Sequence, residues 1–302
     1  MNLLITGAWS AAKEYIPEIE KQGHRVVFMQ NESDALPCAT EWVEGAVCNG
    51  LFLHHHIERF VNLRYIQLTS AGIDRIPMEF VNSHHIEIHN ARGVYSIPMA
   101  EFALCGVLQL YKRSRFFAEN QLNRRWEKHR GLLELYGKTV CIVGCGNVGT
   151  ECAKRFSAFG CGVVGVDLHP YENVYYQTIF SLEQLDDVIP TADVIVLTLP
   201  LTDVTRHMIN RNRLSLLKDT AVIVNIARGA VVDTEALIEA LPYLGGAVLD
   251  VFEEEPLGDE NPLWQANNVI ITPHNSFVGE KNDCRLFQIV MDNLEKYLLT
   301  HR

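Results

Sequence analysis

The chain has 302 residues, 48% of them hydrophobic, and a formal net charge of −11. That length exceeds what one hydrophobic core usually supports, so two domains of roughly 100–200 residues each are expected. The acidic balance argues against nucleic acid or an anionic membrane surface as a partner, since both need a positive field, but a locally basic cleft could still take a small anion.

No apolar run approaches the roughly 18 residues of a membrane span. The opening MNLLITGAWSAAKEYIPEIEK lacks a basic lead and has charges where a signal peptide would continue, so a soluble, cytoplasmic protein is the expectation. Cys38, Cys48, Cys105, Cys141, Cys145, Cys152, Cys161 and Cys284 show no CxxC or finger spacing and read as reduced, structural thiols. His54, His55 and His56 are adjacent and so point in different directions; they read as solvated side chains, and no metal site is expected.

In chain order, NLLITG, RVVFM, GAVCNG, RYIQLTS and IEIHN read as strands, with AAKEYIPEIEKQG as a helix between the first two. Alternation of short apolar runs with longer helical patterns predicts an α/β protein with a parallel sheet. One long helix is expected over residues 96 to about 120, with Pro98 tolerated in its first turn. A second α/β series follows. It comprises strand 139–143, a helix over about 147–159, strand GVVGVD, helix SLEQLDDVIPTA, strand DVIVLTL, helix NRNRLSLLKD, strand AVIVNIA, helix DTEALIEALP, and strands GAVLDV and NVIITPH. The tail CRLFQIVMDNLEKYLLT has apolar residues at helical spacing.

Gly144, Gly146 and Gly149 sit directly after a predicted strand and open a helix, the context a dinucleotide-binding turn requires. The first glycine permits the tight turn, the second lets the backbone approach a pyrophosphate, and the third lets helix and strand pack closely. Asp167 stands 18 positions after Gly149, at the end of the next strand, where a carboxylate binds a ribose 2′-hydroxyl and repels a 2′-phosphate. NAD is therefore expected over NADP.

Three later strand ends carry ionisable residues: Arg228 in VNIARGAVVD, Glu255 in AVLDVFEEEPL and His274 in VIITPHN. In an open α/β sheet such ends face the ligand crevice. A guanidinium can clamp a carboxylate, an imidazole can exchange a proton, and a glutamate can orient and charge the imidazole. Singly, each also has a plain reading: a surface arginine, one member of a solvated acidic run, a satisfied histidine after a proline.

Together with the glycine turn, the segments LTSAGID, NARGVYSIPMAEFAL, ELYGKTVCIVGCGNVG, LTLPLT, VNIARGAVVD, LDVFEEEPL, NPLW and ITPH resemble the D-isomer specific 2-hydroxyacid dehydrogenase family, and the likeness covers essentially the whole chain. The resemblance implies two domains, each a parallel sheet flanked by helices. One is a flavodoxin-like substrate domain over residues 1–92, with the final helix 284–302 packing back on it. The other is a Rossmann-type dinucleotide domain over residues 93–283, with the substrate held in the crevice between the two.

It also implies that Arg228 binds the keto acid, His274 donates the proton in reduction, and Glu255 is its partner. Further cofactor contacts carried over by resemblance are Asn147, Val148, Leu199, Ile226 and Asp250; the substrate carboxylate falls to Asn49, Gly50, Ser70, Ala71 and Gly72. A homodimer formed through the dinucleotide domain and residues 96–130 follows from the same likeness. Family members commonly place a glycine-containing turn after the histidine, whereas this chain has Asn275, Ser276 and Phe277, which alters the pocket wall. Formate as substrate is disfavoured, because that relative has glutamine where Glu255 stands. The substrate's side chain stays open, and the alternative is an NAD(H)-sensing, corepressor-like binding protein of the same fold with little turnover.

Overall fold

Every apolar run read as a strand forms one, and every strand pairs parallel to its neighbours. The computed structural model describes residues 1–301. It falls into two units: Met1–Tyr95 with the chain from Gly279 onward, and Ser96–Val278. The sequence reading placed these divisions at residues 92 and 284.

The first unit contains β1 (Asn2–Thr6), α1 (Ala12–Lys21), β2 (Arg25–Met29), β3 (Gly45–Cys48), α2 (Leu51–His54), β4 (Tyr65–Leu68), α3 (Met78–Ser83) and β5 (Glu87–His89). Its sheet order is β2-β1-β3-β4-β5, the flavodoxin-type winding, which reverses direction between β1 and β3. Alternation along β1 sends Leu4 to one face, with Ala46, Leu51 and Ile66, and Leu3 and Ile5 to the other. The second face is closed by Leu286, Val290, Leu294 and Tyr297 of the last helix, Asn282–Thr300, whose helical spacing places them on one stripe.

The second unit contains α4 (Ser96–Tyr111), α5 (Ser114–Leu122), β6 (Thr139–Val143), α6 (Asn147–Ala158), β7 (Gly162–Asp167), β8 (Thr178–Ser181), α7 (Leu185–Val188), β9 (Val194–Leu197), α8 (Arg211–Ser215), β10 (Val222–Asn225), α9 (Thr234–Ala240), β11 (Gly246–Leu249) and β12 (Val269–Ile271). Its order, β12-β11-β10-β9-β6-β7-β8, is the Rossmann winding with one extra strand, and it reverses between β6 and β9. β9, β10 and β11 are buried on both faces, which is why each reads as an unbroken apolar run.

Two elements differ from the sequence reading. The single helix expected to residue 120 is broken after Tyr111, with Arg113 left-handed at φ 52°. The break is a long-range effect: the Leu133 N–H donates to the Tyr111 carbonyl at 3.0 Å, and Lys112 Nζ donates to Leu133 O at 2.7 Å. The helix expected over residues 181–192 is one α-helical turn, α7, between two 3₁₀ turns, ended by Pro190, which has no N–H to continue it. Just before it, the half-exposed edge strand β8 has too short an apolar run to announce itself.

Burial pushes the Cys141, Cys145 and Cys152 thiols up to about 12, so they stay protonated and pack as small apolar groups. Among the described residues no three His, Cys, Asp or Glu side chains are placed to hold a metal ion. Among the described residues no helix is long and apolar enough to cross a membrane.

Candidate active site

At the end of β6 the chain turns at Gly144, φ 95°, so tightly that a Cβ there would lie 2.8 Å from Leu199 N. A Cβ on Gly149 would lie 2.2 Å from Gly144 O, so only glycine lets α6 press onto the turn. Between them, Gly146 faces open space and begins α6, and Asn147 beside it is exposed while Val148 is half-buried. This is room for a pyrophosphate against the helix's unpaired N–H groups, and it lies where the sheet order reverses.

Asp167, at the end of β7, accepts the Cys145 N–H at 2.6 Å and the His169 N–H at 3.0 Å. Its carboxylate is thereby anchored to the glycine turn, with lone pairs to spare for a ribose diol. Leu199 and Ile226, the other residues expected at the cofactor, are buried at the ends of β9 and β10.

The three ionisable residues stand beyond the ends of β10, β11 and β12. Buried Asn225, which the sequence reading did not single out, shapes the first: its Oδ1 accepts the Ala227 N–H at 3.1 Å and its Nδ2 donates to Arg228 O at 3.0 Å. A Cβ on Gly229 would sit 1.8 Å from the Phe252 carbonyl carbon, so that glycine lets the Arg228 loop lie directly on the backbone leading to Glu255.

Within the acidic run the roles separate. Glu253 accepts the Thr234 N–H at 2.9 Å and meets His207 Nε2 at 2.7 Å; burial opposes its charge, yet these bonds hold its carboxyl below the usual range. It fastens the loop. Glu255 accepts the Phe252 N–H at 3.0 Å with Oε1 and meets His274 Nδ1 at 2.9 Å with Oε2. That pair leaves Nε2 of a half-exposed imidazole as the outward atom.

His274 is held at φ 51°, an unusual conformation for a non-glycine residue. The cause is Asp250, which is fully buried. Its carbonyl accepts the His274 N–H at 2.7 Å. Its carboxylate accepts the Thr272 hydroxyl at 2.6 Å and the N–H groups of Asn275 at 2.7 Å and Ser276 at 2.9 Å. The sequence reading put Asp250 at the cofactor; the structure commits its oxygens to the turn that carries His274. Phe277 of the same turn stands edge-on to the imidazole at 6.2 Å between ring centroids.

In the first unit, the turn after β4 offers free donors: among the described residues nothing accepts from the N–H of Ala71 or Gly72, while Ser70 Oγ donates to Gly72 O at 2.9 Å and Asn90 Nδ2 to Ala71 O at 2.7 Å. The Asn49–Gly50 turn does not. Its N–H groups donate to the Glu32 carboxylate at 2.7 and 2.6 Å, which withdraws them from the substrate role expected of them. Glu32 lies in an irregular loop and gave no signal in the sequence.

A doubly wound parallel sheet, a glycine turn with an anchored aspartate, and an arginine with a paired glutamate and histidine at neighbouring strand ends are the parts that nicotinamide-dependent chemistry requires. Residues 104–276 match the model of the D-isomer specific 2-hydroxyacid dehydrogenase, NAD binding domain. The chain belongs to that family and carries its NAD binding domain.

It is 37% identical over 247 residues to a D-3-phosphoglycerate dehydrogenase of Methanocaldococcus jannaschii; the match covers 80% of this chain and 47% of that protein, so it spans about half that relative's length. It is 34% identical to a glyoxylate reductase of Thermofilum pendens, covering 77% of this chain and 71% of the other. The crystal structure of a D-isomer specific 2-hydroxyacid dehydrogenase family protein from Aeromonas salmonicida subsp. salmonicida A449 superposes with a TM-score of 0.87 at 28% identity, covering 100% of this chain and 96% of that one.

Proposed function

We propose that this protein reduces a small 2-keto acid to the D-2-hydroxy acid with NADH, and runs the reverse oxidation, with Arg228, Glu255 and His274 as its catalytic residues. The observation that carries the proposal is the Glu255–His274 pair, 2.9 Å apart and fastened on both sides by backbone bonds. Bound NADH supplies the hydride. His274 gives its Nε2 proton to the substrate's keto oxygen, and Glu255 on Nδ1 fixes the ring's orientation. Arg228 draws the same oxygen and the carboxylate by charge-assisted hydrogen bonds. In the first unit, the free N–H groups of the Ser70–Gly72 turn supply donors for a carboxylate.

NADH binds through Gly144, Gly146, Asn147, Val148 and Gly149, with Leu199 and Ile226 as apolar walls. Asp167 sets the choice of dinucleotide by accepting from the ribose hydroxyls and repelling a 2′-phosphate. kcat/KM is therefore higher with NADH than with NADPH, and Asp167→Ala narrows the difference; equal or better efficiency of the wild type with NADPH would remove this role.

The protein acts in the cytoplasm as a homodimer joined through the second unit. Supporting the dimer, Trp126 is 98% exposed and Leu122 83%, beside a cavity of about 760 Å³ lined in part by Asn120, whose amide is buried without a hydrogen-bond partner. Sedimentation should give twice the chain mass at micromolar protein, and a monomer would count against it. The enzyme names of the relatives favour turnover over the corepressor-like reading. An NADH-consumption screen over glyoxylate, hydroxypyruvate and larger 2-keto acids tests the activity: consumption with at least one is expected, and none would favour the binding-protein alternative.

A further inference from the structure

The carboxylate of Glu32 occupies a built anion cradle. Oε1 accepts the hydroxyl of Thr6 at 2.7 Å and the Asn49 N–H at 2.7 Å, and Oε2 accepts the Gly50 N–H at 2.6 Å. Thr6, itself fully buried, ends β1, and Asn49 and Gly50 follow β3. The cradle therefore bridges the two strands between which the first sheet reverses direction, the place where open α/β sheets receive ligands. Here the chain has put its own charge there, and the backbone carbonyl of Glu32 is braced by His55 Nε2 at 2.9 Å. A solvated side chain would not recruit two main-chain donors and a buried hydroxyl.

The next strand end is that of β4, tied to β3 by the Thr69 N–H on Cys48 O at 2.9 Å, and it leads into the Ser70–Gly72 turn with its free N–H groups. Neighbouring strands lie roughly 4.8 Å apart. The Glu32 cradle and the Ser70–Gly72 turn thus follow adjacent strands, one strand spacing apart along the same end of the sheet. Arg75 is exposed on the same rim, with its Cδ 3.9 Å from the position a Gly50 Cβ would take.

We propose that Glu32 is a specificity-determining residue for the keto acid: by filling the cradle with a fixed negative charge, it admits side chains without charge and rejects those bearing a second anionic group. The inference rests on the proposed 2-keto acid reductase activity and narrows its substrate class to monoanions such as glyoxylate or 2-oxobutyrate, against dianions such as oxaloacetate or a phosphorylated keto acid. Removing the carboxylate leaves Thr6, the two N–H groups and Arg75 facing the space, a set suited to an anion.

The test compares 2-oxobutyrate with oxaloacetate, which differ by a methyl against a carboxylate. The wild type has the higher kcat/KM on 2-oxobutyrate. Glu32→Ala raises the oxaloacetate-to-2-oxobutyrate ratio by at least about tenfold, as expected when a like-charge juxtaposition is removed. Glu32→Gln, which keeps the shape, moves the ratio in the same direction by less. Added formate raises the melting temperature of Glu32→Ala by refilling the cradle and leaves that of the wild type unchanged.

A ratio unmoved in both variants, a wild type that prefers oxaloacetate, or formate without effect on Glu32→Ala each overturns the role of Glu32. If the wild type is active on 2-oxobutyrate in those cases, the reductase reading stands alone. A wild type that oxidises NADH with no keto acid removes both.

Discussion

His274→Gln lowers both keto acid reduction and hydroxy acid oxidation by about 10²–10⁴-fold, the range a positioned acid–base group contributes, and leaves NADH binding largely intact. Its partner acts through it. The Glu255 carboxylate meets Nδ1 at 2.9 Å and fixes the orientation of the ring. Glu255→Ala removes that bond and lowers kcat in both directions by about 10²-fold, the loss expected of a ring displaced on the order of 1 Å, with the Kd for NADH within a few-fold of wild type. Glu255→Gln, which keeps a hydrogen-bonding side chain, recovers part of the loss. An unchanged kcat in Glu255→Ala would return Glu255 to the acidic run as an ordinary member.

Asp250→Asn lowers kcat about 10²-fold in both directions while leaving the Kd for NADH within a few-fold of wild type. The carboxylate takes one hydroxyl and two N–H donors, all in a fully buried setting. An amide replaces one acceptor oxygen with a donor, which then faces a donor, at a cost of about 1–3 kcal/mol. The turn relaxes, and His274 no longer keeps the φ of 51° that aims its ring. A displacement on the order of 1 Å is enough for a loss of that size. The split between kcat and cofactor affinity is the readout: wild-type kcat with much weaker NADH binding would restore Asp250 to the direct cofactor contact that the sequence motif suggested.

What could be read in advance followed from local pattern. Parallel strands buried on both faces leave continuous apolar runs, so β9, β10 and β11 were legible, as was the glycine turn, whose three positions each answer a different steric need. Arg228, Glu255 and His274, the proposed catalytic residues, stand out because each ends a strand run in a recognisable motif. The remainder depends on contacts between distant segments. The end of α4 is set by Leu133, which returns from more than 20 residues away. Asn225 lies inside an apolar run and looks like a strand residue, yet its amide shapes the Arg228 loop. Glu32 sits in a loop with no periodicity, and its partners come from β1 and from the turn after β3. Asp250 stands in a recognisable motif, but the direction of its carboxylate follows from the Thr272–Ser276 turn folding over it.

The central claim is that hydride passes between a nicotinamide and C2 of a 2-keto acid on this chain. Its most direct test is to incubate the protein with hydroxypyruvate and NADH deuterated at the transferable position of C4, and to analyse the product by NMR and chiral chromatography. The expected product is glycerate carrying deuterium at C2, in the D configuration alone, in amounts equal to the NADH consumed. Bound NADH that is not consumed, or glycerate that is unlabelled or of L configuration, would contradict it.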